Sequence, residues 1–330
     1  MVPPDQPVTR PVIRPVTPHV PLGQHPAPTH TIAHLSDPHL LADGALQYDA
    51  VDPEAGLRTA LERLRRLPHA PDALVFTGDL ADEAEPSAYV RLREVVEPVA
   101  ADLGAQVVWV MGNHDERSTY SRLLFDEESD APQDRTYDVR GLRVVALDTS
   151  VPGYHHGEVT DDQLHWLAGV LAEPAPHGTL LALHHPPIPV PMLRAAEIIE
   201  LADQHRLAEV VAGTDVRSIL GGHFHFSTYS TFAGIPVSVA SASCYTSDPA
   251  PLGRFVSGVD GHQAITMVHV YDDRVVQTVV PLGDAPEVSG VLPTVTAQLE
   301  ALSAEERREL LSRKDSAFNR GELAEELGRW

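Results

Sequence analysis

The sequence predicts an α/β fold, and three observations carry that prediction. From residue 31 onward, short apolar runs alternate with segments of helical apolar spacing. Five of these runs end directly in a polar cluster rich in His, Asp and Gly. Hydrophobic residues make up 43% of the 330, enough for a sizeable core and against wholesale disorder.

In chain order, residues 1–30 hold nine of the 29 prolines and almost no apolar periodicity, which predicts an extended, poorly ordered leader. Strands are expected at 31–36, 73–77, 106–111, 142–147, 179–183 and 216–220, where β-branched and apolar residues run unbroken. Helices are expected at 53–67, 86–103, 160–171 and 192–205. In the first of these, Leu57, Ala60, Leu61 and Leu64 share one face. Beyond His225 the pattern changes: 236–242, 264–271 and 274–281 read as consecutive antiparallel strands, with Asp272-Asp273 turning the last pair. Residues 282–293 read as loop, and Ser303 with Glu306 forms a capping-box signal for a short helix over 304–313. The chain thus divides into a leader (1–30), a body (31–283) and a C-terminal extension (284–330).

Composition narrows the function. With 24 Lys and Arg against 47 Asp and Glu, the net charge of −23 excludes a general binder of nucleic acid or anionic membrane. No apolar run is long enough to insert stably in a membrane, and no secretory signal pattern opens the chain. A single cysteine, Cys244, forbids an intramolecular disulfide and fits a cytoplasmic setting. Eighteen histidines are the compositional oddity and point to metal.

The polar clusters are Asp37-Pro38-His39, Gly78-Asp79, Gly112-Asn113-His114-Asp115, His184-His185 and Gly221-Gly222-His223-Phe224-His225. Loops after the carboxyl ends of strands are where α/β proteins build sites. One histidine at a strand end is ordinarily a hydrogen-bonded core residue; five such clusters together are not explained that way. Asp37 with His39, and His223 with His225, have i, i+2 spacing and can converge on one ion. Asp79 has two oxygens and can bridge two cations; Asn113 supplies an amide oxygen and His184 an imidazole nitrogen. Nitrogen and oxygen donors without thiolate suit Mn, Fe, Zn or Co. Seven ligands are too many for one ion but suit two that share a carboxylate, the clamp used for in-line displacement at phosphorus.

The order D-x-H, GD, GNH-D, H, GH-x-H resembles the calcineurin-like metallophosphoesterase superfamily. The surrounding text is similar to the class III cyclic-nucleotide phosphodiesterases of actinobacteria: Phe76-Thr77-Gly78-Asp79-Leu80-Ala81-Asp82, Trp109-Val110-Met111-Gly112-Asn113-His114-Asp115, Leu147-Asp148-Thr149-Ser150-Val151-Pro152-Gly153 and His184-His185-Pro186-Pro187. The likeness covers about residues 31–283. It implies a four-layer α/β/β/α sandwich of two mixed sheets with flanking helices, and two divalent or trivalent transition-metal ions per chain, iron or manganese first. It implies that Asp37, His39, Asp79 and His225 hold one metal and Asp79, Asn113, His184 and His223 the other. Asn113 and His114 would face the phosphate, with His114 protonating the leaving oxygen and Asp82 orienting it. In its place Asp82 could also be a solvated loop acid.

The reaction so implied is hydrolysis of a small-molecule cyclic nucleotide, cyclic AMP among others, to a monophosphate by a metal-bridging hydroxide. A nucleotide-diphosphate pyrophosphatase or broader phosphodiesterase is the enzymatic alternative, and a scaffold with a dead metal site the non-enzymatic one. A homodimer fits the likeness. No tyrosine follows Gly78-Asp79-Leu80, which separates the chain from purple acid phosphatases. No arginine lies within the site blocks, which favours a singly charged diester, although Arg117, Arg194 or Arg254 could fold in. In the loop after the fourth strand, His156 rather than His155 is expected at the phosphate; with Tyr245 these residues are the ones available to touch a base. His185, His34 and Cys244 read as structural.

Overall fold

The computed structural model describes residues 21–290 and 294–322. Residues 29–283 form one compact unit, and 21–28 with 284–290 and 294–322 belong to a second. In the first unit the elements run β1 (His30–Leu35), α1 (Pro53–Arg65), β2 (Ala73–Thr77), α2 (Pro86–Leu103), β3 (Gln106–Val110), α3 (Arg117–Phe125), β4 (Arg135–Val139), β5 (Leu142–Leu147), α4 (Asp161–Leu171), β6 (Thr179–Leu183), α5 (Gln204–Val211), β7 (Val216–Gly221), β8 (Thr228–Phe232), β9 (Ile235–Val239), β10 (Thr246–Ser247), β11 (Gly258–Val259), β12 (Ala264–Val270) and β13 (Val275–Pro281).

Two large mixed sheets result, in the orders β13-β12-β1-β2-β3 and β4-β5-β6-β7-β9-β8. Side chains alternate faces along a strand, so an apolar run buried on both sides must feed two cores. Val75 and Ala73 of β2 join Val144, Ala146, Leu180 and Ala182 between the sheets. Their neighbours Leu74 and Phe76 face outward onto Leu57, Leu61 and Leu64 of α1 and Leu92 of α2. On the second sheet, Val145, Leu147, Leu181 and Leu183 face outward onto Leu164, Leu167 and Leu171 of α4 and Leu207 of α5. Three cores between four layers give the α/β/β/α sandwich, and its unbroken apolar strands are the reason the sequence displayed them.

Helix starts follow local chemistry. Asp52 caps α1 by accepting from the Ala55 amide, with Pro53 at the first helical position. Thr160 and Gln163 form a full capping box on α4.

Four expectations need correction. The segment 192–205 is not a helix: a short 3₁₀ turn spans Arg194–Ile198, and α5 begins only at Gln204. Its backbone is engaged elsewhere, with the Glu200 carbonyl accepting from Gly157 and the Ala202 amide donating back to it. Strand β9 does not continue into β12; it runs parallel to β7 and antiparallel to β8, in the other sheet. His30, assigned to the leader, opens β1. The predicted helix over 304–313 is one α turn, Ala304–Arg307, followed by a π turn, Arg308–Ser312, although Ser303 and Glu306 form the expected capping box. The first twenty residues of the leader lie outside the described residues. Among the described residues no helix is long and apolar enough to cross a membrane.

His34 on β1 is fully buried on the inter-sheet face, with Nε2 bonded to the Thr77 hydroxyl. Burial pushes its imidazole down to about 3, so the folded chain keeps it neutral. In the unfolded chain it takes a proton near pH 6.5. The folded state therefore binds fewer protons, and the stability His34 contributes is present above pH 6.5 and lost as pH falls from there toward 3. The loss should run at about 1.4 kcal/mol per pH unit. His34→Gln is expected to flatten the acid side of the stability curve between about pH 6 and 4. Denaturant melts at stepped pH check this; an unchanged acid slope would refute it.

Candidate metal centre

Five strands deliver their polar ends to one edge. Strands β1, β2 and β3 are parallel neighbours in one sheet, β6 and β7 in the other, and all five point the same way into the cleft. Two loop pairs are tied by the backbone: the amides of Asp37 and His39 donate to the carbonyls of Gly78 and Asp79, and that of Gly222 to His184. Gly112 and Gly222 allow the closest approaches. A Cβ on Gly112 would strike the amide and carboxylate of Asp79, and one on Gly222 would lie 2.8 Å from Asp37 Oδ2 and closer still to Ser36.

The seven residues singled out as ligands come together. Asp37, His39, Asp79, His184, His223 and His225 are buried, and Asn113 is half-buried. In the first group, His39 Nε2 lies 3.1 Å from His225 Nε2 and 3.4 Å from Asp79 Oδ2, and His225 Nε2 lies 3.5 Å from Asp37 Oδ1. In the second, His184 Nε2 lies 3.0 Å from Asn113 Oδ1, 3.2 Å from Asp79 Oδ2 and 3.2 Å from His223 Nδ1. Asp79 therefore serves both groups, but through one oxygen. Its other oxygen, Oδ1, accepts the backbone amide of His114.

The second nitrogen of each imidazole explains why this arrangement fits metal. His39 Nδ1 donates to Asp82 Oδ1 at 2.8 Å, His184 Nδ1 to the Thr77 carbonyl at 2.7 Å, His223 Nε2 to the Ile199 carbonyl at 2.9 Å and His225 Nδ1 to the Tyr245 carbonyl at 3.0 Å. Each of these partners can only accept, so the network assigns the proton to that nitrogen and leaves the other as a lone pair aimed inward. Lone pairs facing each other near 3 Å, ringed by carboxylates, need a cation between them.

The titration behaviour agrees. Burial holds His223 down to about 3 and His225 down to about 4, both neutral. Burial opposes protonation of His184 too, but the Asp79 carboxylate against it wins and pushes it up to about 9. Burial likewise opposes His39, and Asp82, Asp79 and Asp37 outweigh it. Protons on His184 and His39 stand where a metal ion would stand and would be released by it.

His114 and Asp82 depart from their expected relation. His114 is half-buried, with its ring 4.7 Å from that of His39, and its Nδ1 donates to the backbone carbonyl of Asp82 at 2.7 Å. The Asp82 carboxylate lies 3.6 Å from that nitrogen and bonds instead to His39 and to Gln47 Nε2. The side chain of Asp82 thus orients an imidazole of the metal group, while His114 is held by main chain. Asp82→Ala should accordingly weaken metal retention at the His39 group by roughly 10–100-fold. It should leave the dependence of rate on leaving group as in the wild type. Chelator titration together with rates on good and poor leaving groups checks this. Normal metal retention with a newly steep leaving-group dependence would reverse the assignment.

The expectation for His156 also needs correction. His156 pairs with Glu158 at 3.1 Å. His155 instead accepts from Asn113 Nδ2 at 2.9 Å and lies 5.2 Å, ring to ring, from His114. His185 pins this loop, bonding Thr149 Oγ1 and the His155 carbonyl. Arg117 does not enter the centre: its guanidinium binds Asp148 and the Ser150 carbonyl.

Asp115 has a role that the sequence reading did not assign. Its buried carboxylate accepts the amides of Leu80, Ala81 and Gly112 and the Tyr89 hydroxyl at 2.6 Å. It fixes the loop carrying Asp79 against the loop carrying Asn113. Burial, aided by the Asp79 charge, pushes its carboxyl up to about 6. The signal was its place at the end of the Gly112-Asn113-His114-Asp115 block.

The calcineurin-like phosphoesterase family profile matches residues 30–227. A probable cyclic nucleotide phosphodiesterase of Rhodococcus erythropolis is 55% identical over 262 residues, covering 79% of this chain and 86% of its own. A cAMP/cGMP dual specificity phosphodiesterase of Mycobacterium tuberculosis is 54% identical over 267 residues, covering 81% and 84%. Among solved structures, a dimetal phosphatase from Danio rerio superposes with a TM-score of 0.54 at 18% identity, covering 78% of this chain and 98% of that one, which speaks to the fold alone.

Proposed function

The chain belongs to the calcineurin-like phosphoesterase family, and from that premise we propose that it is a two-metal phosphodiesterase that hydrolyses cyclic nucleotides, cyclic AMP among them, to nucleoside monophosphates. The observation that carries the reading is the pair of ligand groups meeting at Asp79 Oδ2, with each imidazole oriented through its outer nitrogen. Mixed nitrogen and oxygen donors suit Mn, Fe, Zn or Co. When bound, the metals supply Lewis acidity for the phosphate and an acidified water.

The residues of the chain do the rest. Asn113 directs its amide oxygen at His184 and its nitrogen at His155, which fixes its rotamer at the mouth of the centre. His114, with Nδ1–H held by the Asp82 carbonyl, keeps Nε2 for the substrate and in its doubly protonated form can donate to the departing ester oxygen. Asp79 fixes the His114 backbone through Oδ1, so the acid and the metal groups are set by one side chain. Among the described residues the carboxylates of Asp37, Asp79 and Asp82 pair with histidines rather than arginines, which matches a diester with a single charge.

The test is chromatography of products formed from cyclic AMP by metal-loaded protein. Accumulation of the monophosphate, stopped by a chelator, supports the reading. Release of inorganic phosphate from AMP, or cleavage of nucleotide diphosphates with cyclic AMP untouched, overturns it.

A further inference from the structure

An exposed tyrosine stands beside the His39–His225 side of the centre in a backbone conformation it would not adopt for packing. Gln47 and Val51 pair by two backbone hydrogen bonds of 2.8 and 3.0 Å and close a tight turn. At its tip Tyr48 and Asp49 both have left-handed φ, 54° and 55°. Tyr48 is 75% exposed. A large side chain gains nothing from water there, and left-handed backbone is costly for it.

The turn is nonetheless firmly placed. Gln47 is buried, and its amide donates to the same Asp82 carboxylate that holds His39. The Tyr48 hydroxyl meets that of Tyr245 at 3.3 Å, and the two rings stand edge to face at 5.5 Å. The Tyr245 ring lies 4.5 Å from that of His225 and 6.4 Å from that of His39. Its carbonyl accepts from His225 Nδ1. An uninterrupted row of rings therefore leads from the metal-facing imidazoles to the exposed face of Tyr48.

We infer that Tyr48, braced by Tyr245, is the platform on which the nucleobase of the substrate stacks while its phosphate sits at the metal groups. The inference rests on the cyclic-nucleotide reading and adds the residue that recognises the base. Stacking on an aromatic face accepts any base, so this device gives affinity with little choice between adenine and guanine.

The experiment compares cyclic AMP with 1-deoxyribofuranose 3′,5′-cyclic phosphate, which keeps sugar and phosphate but lacks the base. In Tyr48→Ala the ratio of kcat/KM for cyclic AMP over the abasic compound should fall about tenfold, carried by KM, and Tyr48→Phe should restore it close to the wild-type ratio. Metal content is measured alongside. An unchanged ratio, or equal losses on both compounds accompanied by lost metal, overturns the platform and leaves Tyr48 as a structural brace. Wild-type protein that cleaves the abasic compound but not cyclic AMP overturns instead the reading beneath it.

Discussion

Asp79→Ala protein is expected to retain neither metal ion and to show no measurable phosphodiesterase turnover, whereas Asp37→Ala keeps the ion of the other group. The difference follows from geometry. Asp79 Oδ2 lies 3.4 Å from His39 Nε2 and 3.2 Å from His184 Nε2, so one atom completes both ligand groups. Asp37 faces His225 and, more distantly, His39, and accepts the His223 amide, but touches no nitrogen of His184. Asp79→Asn adds a variant of the same shape without the charge and separates loss of bridging from loss of packing. Metal analysis after desalting decides it. Two ions retained per chain in either Asp79 variant would end the shared-carboxylate assignment.

His114→Ala should keep near-normal metal content and lose roughly 10²–10⁴ in turnover of cyclic AMP, the usual range for removing a general acid. Its ring is held from the main chain and is not placed among the inward-facing nitrogens, so its removal leaves the seven candidate ligands in position. The loss should shrink for bis(p-nitrophenyl) phosphate, whose leaving group departs without a proton. Equal losses on both substrates would assign His114 to charge stabilisation instead. Lost metal would place it in the ligand groups.

Much of this was legible in the sequence because buried parallel strands advertise themselves. β2, β5 and β6 are apolar on both faces, and their predicted limits coincide with those found. The two edge strands of the six-stranded sheet did not show. β4 is Arg-Thr-Tyr-Asp-Val, with alternate residues toward solvent, and β8 is Thr-Tyr-Ser-Thr-Phe, half to fully exposed. Neither has a run that a periodicity reading can find. Helix α3 was missed because its nine residues carry Ser, Thr and two Arg with a weak apolar stripe. Within the centre, the metal-facing residues were readable from their blocks, since strand ends fix where such groups emerge. The carbonyls that orient them were not. Thr77, Ile199 and Tyr245 act through main-chain oxygen, which carries no residue identity. For the same reason the hold of Asp82 on His114 was not legible as a main-chain contact: its carbonyl meets His114 while its carboxylate goes to His39.

Asp37, His39, Asp79, His223 and His225 all have left-handed φ, between 45° and 72°. Each costs of order 1 kcal/mol or more against ordinary backbone, so together they approach the net stability of a typical domain. A laboratory selection for heat resistance alone would therefore drift toward glycine at these five positions, and each step would erase a ligand. Durability and turnover pull this chain in opposite directions at the same residues. Any thermostabilised descendant that still works will have found its gains in the helices and the outer cores, far from the cleft.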